Sequence, residues 1–186
     1  TVLAQNSSLL AQNTLTPSSY QAFAQIMATN PIFYSIYIGQ NNGDFNQLIN
    51  LEASPLIRQQ FSASIKDRWL KVSSSAQSKL QTIEYLDKSF KVRHIQENQT
   101  DFDPTKRVWF EQSKTGEIYK SEPYQFNSLQ APGLTFSTKL PNTKHVLALD
   151  IALSSLSNQL QEHQLPLGSE IYLYQGNGEL IATSKN

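Results

Sequence analysis

Hydrophobic positions along this chain change period several times, and each change marks an element. Tyr20, Phe23, Ala24 and Met27 fall at the i, i+3, i+4, i+7 spacing of a buried helical stripe. Thr16-Pro17-Ser18-Ser19 ahead of them supplies a cap and a proline suited to the first helical position, and Asn30-Pro31 closes the helix. Residues 2–15 are polar, with Leu3, Leu10 and Leu15 at loosely helical spacing. Two helical pieces in line, broken near Pro17, are predicted.

From Phe33 the period becomes two. Phe33 to Ile38 is rich in aromatic and β-branched residues, Gln40-Asn41-Asn42-Gly43 is a turn, and Asp44 to Leu51 returns, which predicts a hairpin. A short helix and loop are expected around Pro55, followed by strands at 68–73, 79–86 and 90–97. A helix over about 104–113 with Gly116 as its stop comes next. Pro132-Gly133 is read as a turn into a strand at 134–140, and a second strand follows at 145–152. Leu153, Leu156 and Leu160 mark a last amphipathic helix before Pro166 and Gly168. Tyr34, Tyr37 and Trp69 are expected to pack on the sheet.

Composition narrows the function classes. The 186 residues carry 15 basic and 15 acidic side chains for a net charge of zero, which leaves no nucleic-acid footprint. The chain has no cysteine, so disulfides, thiol catalysis and cysteine-ligated zinc are excluded. His94, His145 and His163 are far apart, and no nucleophile elbow, phosphate-binding glycine loop or HExxH is present. No metal, no cofactor and no enzymatic activity are therefore expected. No run reaches the eighteen or so apolar residues of a membrane span.

The densest chemistry lies in Phe102-Asp103-Pro104-Thr105-Lys106-Arg107-Val108-Trp109-Phe110. Asp103-Pro104 is a helix start. Arg107 beside Trp109 offers a rigid donor fork for a carboxylate or phosphate. The alternative is an aromatic patch with arginine lying over it. On an ideal helix Arg107 shares a face with Phe110 and not with Trp109, so either the segment is irregular or only one of the pair meets a ligand.

A second clue is a repeat. Ile171-Tyr172-Leu173-Tyr174-Gln175-Gly176-Asn177-Gly178-Glu179-Leu180 aligns without gaps on Ile36 to Phe45, with Tyr, Gln, Asn-Gly, acid and hydrophobic recurring. Either the match is a coincidence of strong turns, or each hairpin opens a module of one kind.

The sequence resembles the extracytoplasmic double-Cache (PDC-type, PAS-like) sensor domains of bacterial transmembrane receptors. The resemblance rests on Asp103-Pro104-x-x-Arg107-x-Trp109-Phe110, Ser121-Glu122-Pro123-Tyr124, Gly133-Leu134-Thr135-Phe136, and Val146 to Leu153. It implies an α+β fold: an antiparallel PAS-like sheet flanked by helices, after a long N-terminal helix. It divides the chain into a helical stalk at 1–30, a membrane-distal module at 31–165, and the opening hairpin of a truncated second module at 166–186. It implies a periplasmic part of a membrane-anchored receptor whose output is a histidine kinase (a two-component system), a cyclic-nucleotide or cyclic-dinucleotide enzyme, or a chemoreceptor signalling region. A homodimer through the N-terminal helix is also implied.

By the same resemblance, Arg107 grips a ligand carboxylate with Trp109 beside it, Phe102 stands nearby, and Asp150 faces an ammonium group. Asp150 has a structural alternative, bonding to nearby backbone amides, and Tyr124 is either a pocket wall or core. Phe110 replaces a tyrosine and Phe126 an aspartate of the amino-acid-binding members, which makes the expected pocket more apolar. The ligand expected is a small carboxylate or amino-acid-like molecule. A non-binding spacer or protein-interaction module of the same fold is the alternative.

Overall fold

The computed structural model describes residues 15–162, 166 and 169–185. The stretch 2–14, His163 and Gly168 lie outside them. The first helix, α1 (Pro17–Thr29), starts where predicted: Thr16 Oγ1 accepts from the Ser19 amide and the Ser19 side chain accepts from the Thr16 amide, a closed capping box. β1 (Phe33–Gly39) and β2 (Phe45–Asn50) form the expected hairpin. A short helix α2 (Pro55–Gln60) leads to β3 (Trp69–Ser75), β4 (Leu80–Leu86) and β5 (Val92–Gln99).

Two short strands, β6 (Tyr119–Lys120) and β7 (Tyr124–Gln125), precede β8 (Pro132–Lys139) and β9 (Val146–Ala152). All pair antiparallel in the order β5-β4-β3-β2-β1-β9-β8-β6, with β7 also on β8. The closing β8 and β9 thus return beside β1, bringing residues more than a hundred positions apart into register, Ser35 opposite Asp150 among them.

Alternation assigns the two faces. Ile36, Ile38, Leu48 and Leu147 point to one side and pack under Tyr20, Phe23 and Met27 of α1. Ser35, Tyr37, Phe45, Gln47 and Asp150 therefore point to the other. That face is covered by α2 and its loop and by the irregular chain of residues 100–131. β1 is buried on both sides, which is why it reads as a nearly continuous apolar run.

Two local expectations are corrected. The segment 104–113 is not one helix: a 3-10 turn at Pro104–Lys106 ends at Arg107, which is extended (φ −98°, ψ 139°), and a separate turn of helix, α3 (Val108–Glu111), follows. The packing against Gly39 accounts for the break. A β-carbon at Gly39 would stand 2.7 Å from Trp109 Cη2, 3.0 Å from Pro104 Cβ and 3.1 Å from Phe110 Cδ2. Three side chains converge on one bare stretch of backbone, and a single regular helix does not present all three to it. The Pro132-Gly133 turn is likewise displaced. The reversal lies at 127–130, where Gln130 takes a left-handed φ of 53°, and Pro132 opens the strand, a position that needs no amide donor.

After α4 (Leu153–Glu162), β10 (Tyr172–Tyr174) and β11 (Leu180–Thr183) form a separate two-stranded sheet. Its turn copies the first hairpin bond for bond. Gln40 N donates to the Asp44 carbonyl at 2.8 Å and Gly43 N to the Gln40 carbonyl at 3.0 Å. Gln175 N and Gly178 N repeat this at 2.8 and 2.9 Å. β11 packs on α4, with Ala182 buried between them. Among the described residues no helix is long and apolar enough to cross a membrane.

Candidate ligand-binding site

The covered face of the sheet encloses a cavity of about 370 Å³. Its floor is made by Tyr37, Phe45, Gln47, Val72, Ile83 and Asp150 on five strands. One wall comes from Phe102, Arg107 and Trp109, and the other from Tyr124 to Ser128. Arg107 and Asp150 are the two charged side chains in this lining.

The extended backbone at Arg107 resolves the helical-wheel conflict. Asp103 accepts from the Thr105 amide and hydroxyl at 3.0 and 2.7 Å, and these bonds, the hydroxyl first, hold its carboxyl below the usual carboxylate range. The 3-10 turn it caps then stops, so Arg107 and Trp109 both face the cavity. Phe110 does not line it: its ring packs behind Trp109, with centroids 5.8 Å apart. The Trp109 carbonyl is held by Ser113 and Ser137 hydroxyls at 2.7 and 2.8 Å, which fixes α3 against β8. The Arg107 guanidinium is exposed, lies 4.9 Å over the Phe102 ring, and makes no hydrogen bond or ion pair among the described residues. It is a free donor fork at the rim.

Asp150 is buried and accepts three hydroxyl hydrogen bonds rather than backbone amides. Tyr37 Oη donates to Oδ1 at 2.8 Å, Thr135 Oγ1 to Oδ1 at 2.6 Å, and Ser35 Oγ to Oδ2 at 3.2 Å. Thr135 has one hydrogen, and it is spent on Asp150. The 2.7 Å contact between Tyr124 Oη and Thr135 Oγ1 is therefore donated by Tyr124. Gln47 Nε2 donates to Ser35 Oγ at 2.9 Å. Burial pushes the Asp150 carboxyl up to about 7, while the Thr135, Tyr37 and Ser35 bonds pull the other way. Burial likewise raises the Tyr37 and Tyr124 phenols, with the Asp150 charge adding to it.

Phe102, Arg107, Trp109, Tyr124, Phe126 and Asp150 thus meet around one cavity. The sequence reading missed Ser35, Tyr37, Gln47 and Thr135. Tyr37 does pack on the sheet as expected, but its hydroxyl is committed to Asp150. The available signal was two polar groups, Ser35 and Tyr37, on the face of β1 opposite Ile36 and Ile38. A larger cleft of about 550 Å³ lies beyond Phe61 and Ile83, which line both. Its acid, Asp67, is already paired to Arg93 at 2.7 Å, so it offers less unspent charge.

No protein-family model matches this chain, and no curated protein matches it in sequence. Solved structures do. The ligand-binding domain of the Campylobacter jejuni chemoreceptor Tlp3, in complex with 4-methylisoleucine, is 16% identical with a TM-score of 0.51, over 98% of this chain and 58% of that one. The ligand-binding domain of the Pseudomonas fluorescens chemoreceptor CtaA, in complex with L-alanine, is 14% identical with a TM-score of 0.48, over 96% and 58%. This chain therefore spans less than two thirds of the length of the domains it is similar to. Its fold is that of the Cache-type sensor domains of chemoreceptors.

Proposed function

We propose that this chain is the extracytoplasmic ligand-binding part of a membrane-anchored signalling receptor, and that its cavity takes a small zwitterionic or carboxylate ligand. The observation that carries the reading is the pairing of one free guanidinium, Arg107, with one buried carboxylate, Asp150, as the two charges of an aromatic-walled cavity. One cation and one anion set apart in a cavity select a ligand of opposite polarity and fitting length. The Tlp3 domain of the same fold holds 4-methylisoleucine, which is such a ligand.

In this proposal Arg107 binds the ligand carboxylate, Asp150 attracts its cation, and Trp109, Phe102, Tyr124 and Phe126 form apolar walls. Phe110 supports Trp109 from behind. Residues 166–186 begin a second module, and the receptor dimerises through the N-terminal helical segment. The domain performs no catalysis; ligand binding shifts the equilibrium of an output elsewhere in the receptor. That both charged side chains of the lining belong to one cavity favours this reading over a non-binding spacer.

The test is a thermal-shift and calorimetric screen of amino and organic acids against the parent and Arg107→Ala. Stabilisation of the parent that disappears in the variant is expected. A folded parent stabilised by nothing in the screen, or a shift that survives Arg107→Ala, overturns the proposal.

A further inference from the structure

The larger cleft, of about 550 Å³, lies between the loop after α2 and the last two strands of that half of the sheet, β4 and β5. Phe61, Ile83, Tyr85 and His94 give it a largely aromatic lining, with the Tyr85 and His94 rings 5.3 Å apart. Its lip is held from two sides. Phe61 ends α2, and Ser62 then takes a left-handed φ of 49°, a position where glycine is usual. Arg58 Nη1 donates to the Ser64 and Asp67 carbonyls at 2.6 and 3.0 Å, and the Tyr85 hydroxyl donates to the Phe61 carbonyl at 3.1 Å. A wall tied down in this way is ordered before any ligand arrives, and the volume is that of a small-molecule site.

Asp67 and Arg93 are the two charged side chains in the lining. Asp67 is buried and committed: Oδ1 accepts from Arg93 Nη1 at 2.7 Å, and Oδ2 accepts from the Ser64 amide at 2.7 Å. Arg93 is only partly committed. Its side chain is 32% exposed, and its N–H groups on Nε and Nη2 have no partner among the described residues. That edge of a guanidinium presents two parallel donors to a carboxylate. The bond to Asp67 holds the fork in place, so less freedom is lost when it is filled. Charge limits what fills it. Asp67 cancels Arg93, and Arg58, on the Asp67 carbonyl, restores one positive charge. A single negative charge suits that balance, and a second one would meet the Asp67 carboxylate.

We propose that this cleft is a second binding site, separate from the covered cavity, and that it takes a small aromatic carboxylate. Arg93 binds the carboxylate through Nε and Nη2, Asp67 orients Arg93, and the aromatic lining receives the ring. The inference goes beyond the function proposed above and does not depend on it.

The experiment is calorimetric titration of benzoate, acetate and phenyl phosphate at pH 8 into the full chain carrying Arg107→Ala, in which the covered cavity has lost its own fork. Benzoate is expected to bind at least tenfold more tightly than acetate, which lacks the ring, and than phenyl phosphate, which carries a second charge. Arg93→Lys in the same background keeps a cation for Asp67 but removes the fork, and is expected to weaken benzoate at least tenfold. Should that variant fail to fold, His94→Ala removes an exposed ring without touching the Asp67 pair, and is expected to weaken benzoate at least threefold. Absence of benzoate binding overturns the inference. So does a preference below tenfold over either comparison compound, or an affinity that the folded variant leaves unchanged. None of these outcomes touches the covered cavity, whose own test is the loss of amino-acid or organic-acid stabilisation between the parent and Arg107→Ala.

Discussion

The ring of Phe126 fills the space that a β-carbon on Gly133 would need: Cε2 and Cζ both lie 2.2 Å from that position, and the Ile151 carbonyl oxygen lies 2.8 Å away. This contact sets one wall of the cavity. Phe126 cannot retreat, because it is stacked on Tyr34 at 5.7 Å and buried in the same cluster as Leu129 and Ala131. Gly133→Ala must push the ring, and overpacking of this kind typically costs about 1–3 kcal/mol. A lowered urea midpoint and weakened ligand binding are expected together. An unchanged midpoint would mean that the wall yields freely.

Arg107 calls for the opposite outcome. Its exposed guanidinium contributes to the apo fold only a contact over Phe102, which at such a site is worth about 0.5–1 kcal/mol. Arg107→Ala is expected to unfold at nearly the parental denaturant concentration while losing ligand-induced stabilisation. Arg107→Lys keeps the charge and loses the planar fork, so about tenfold weaker binding is expected. Paired denaturation and titration curves separate the two effects. A large loss of apo stability would mark Arg107 as a structural residue instead.

The contrast between these positions shows what a single sequence makes legible. The helix stripe from Tyr20 to Met27 and the alternation around Gln40 to Gly43 are local signals, and α1 and the β1–β2 hairpin follow them closely. The repeated turn is also local, and its hydrogen bonds are reproduced pair by pair. The break at Arg107 is not local, because it answers to Gly39, some seventy positions earlier. The same holds for the Asp150 network. Ser35 and Thr135 become its donors only through the pairing of β1 and β8 with β9. A helical wheel therefore puts Phe110 with Arg107, and strand alternation places Tyr37 on the sheet without revealing that its hydroxyl meets Asp150.

Asp150 makes stability fall with rising pH over a definite range. Its carboxyl is raised to about 7 in the folded chain, chiefly by burial, against about 3.9 when unfolded. Between those values the folded state holds a proton that the unfolded state has released. Unfolding free energy therefore declines as pH rises from about 4 to about 7 and levels off above. Asp150→Asn lacks this component, so the parent-minus-variant difference in denaturation midpoint isolates it from the other carboxylates. Affinity for a cationic ligand runs the other way, rising as Asp150 ionises and flattening above about pH 8. Binding independent of pH from 6 to 8 would show that the ligand's cation does not meet this carboxylate.

The duplicated turn supplies a matched pair of substitutions. Gly43 and Gly178 hold the same place in identical hydrogen-bond patterns, at φ values of 89° and 86°. An alanine at either position pays for the left-handed backbone, on the order of 1 kcal/mol. Their surroundings differ. A β-carbon at Gly178 meets nothing within 4 Å, whereas at Gly43 it would stand 2.8 Å from Ala76 Cβ. That neighbour is held in place, because the Ala76 amide donates to Asp44 Oδ1 at 3.0 Å. Gly43→Ala must therefore strain both the turn and the β3–β4 connection beside it. It is expected to lower the unfolding free energy by at least about 1 kcal/mol more than Gly178→Ala. Equal losses in urea denaturation would mean that Ala76 shifts at no cost, and that the Asp44 bond does not anchor it.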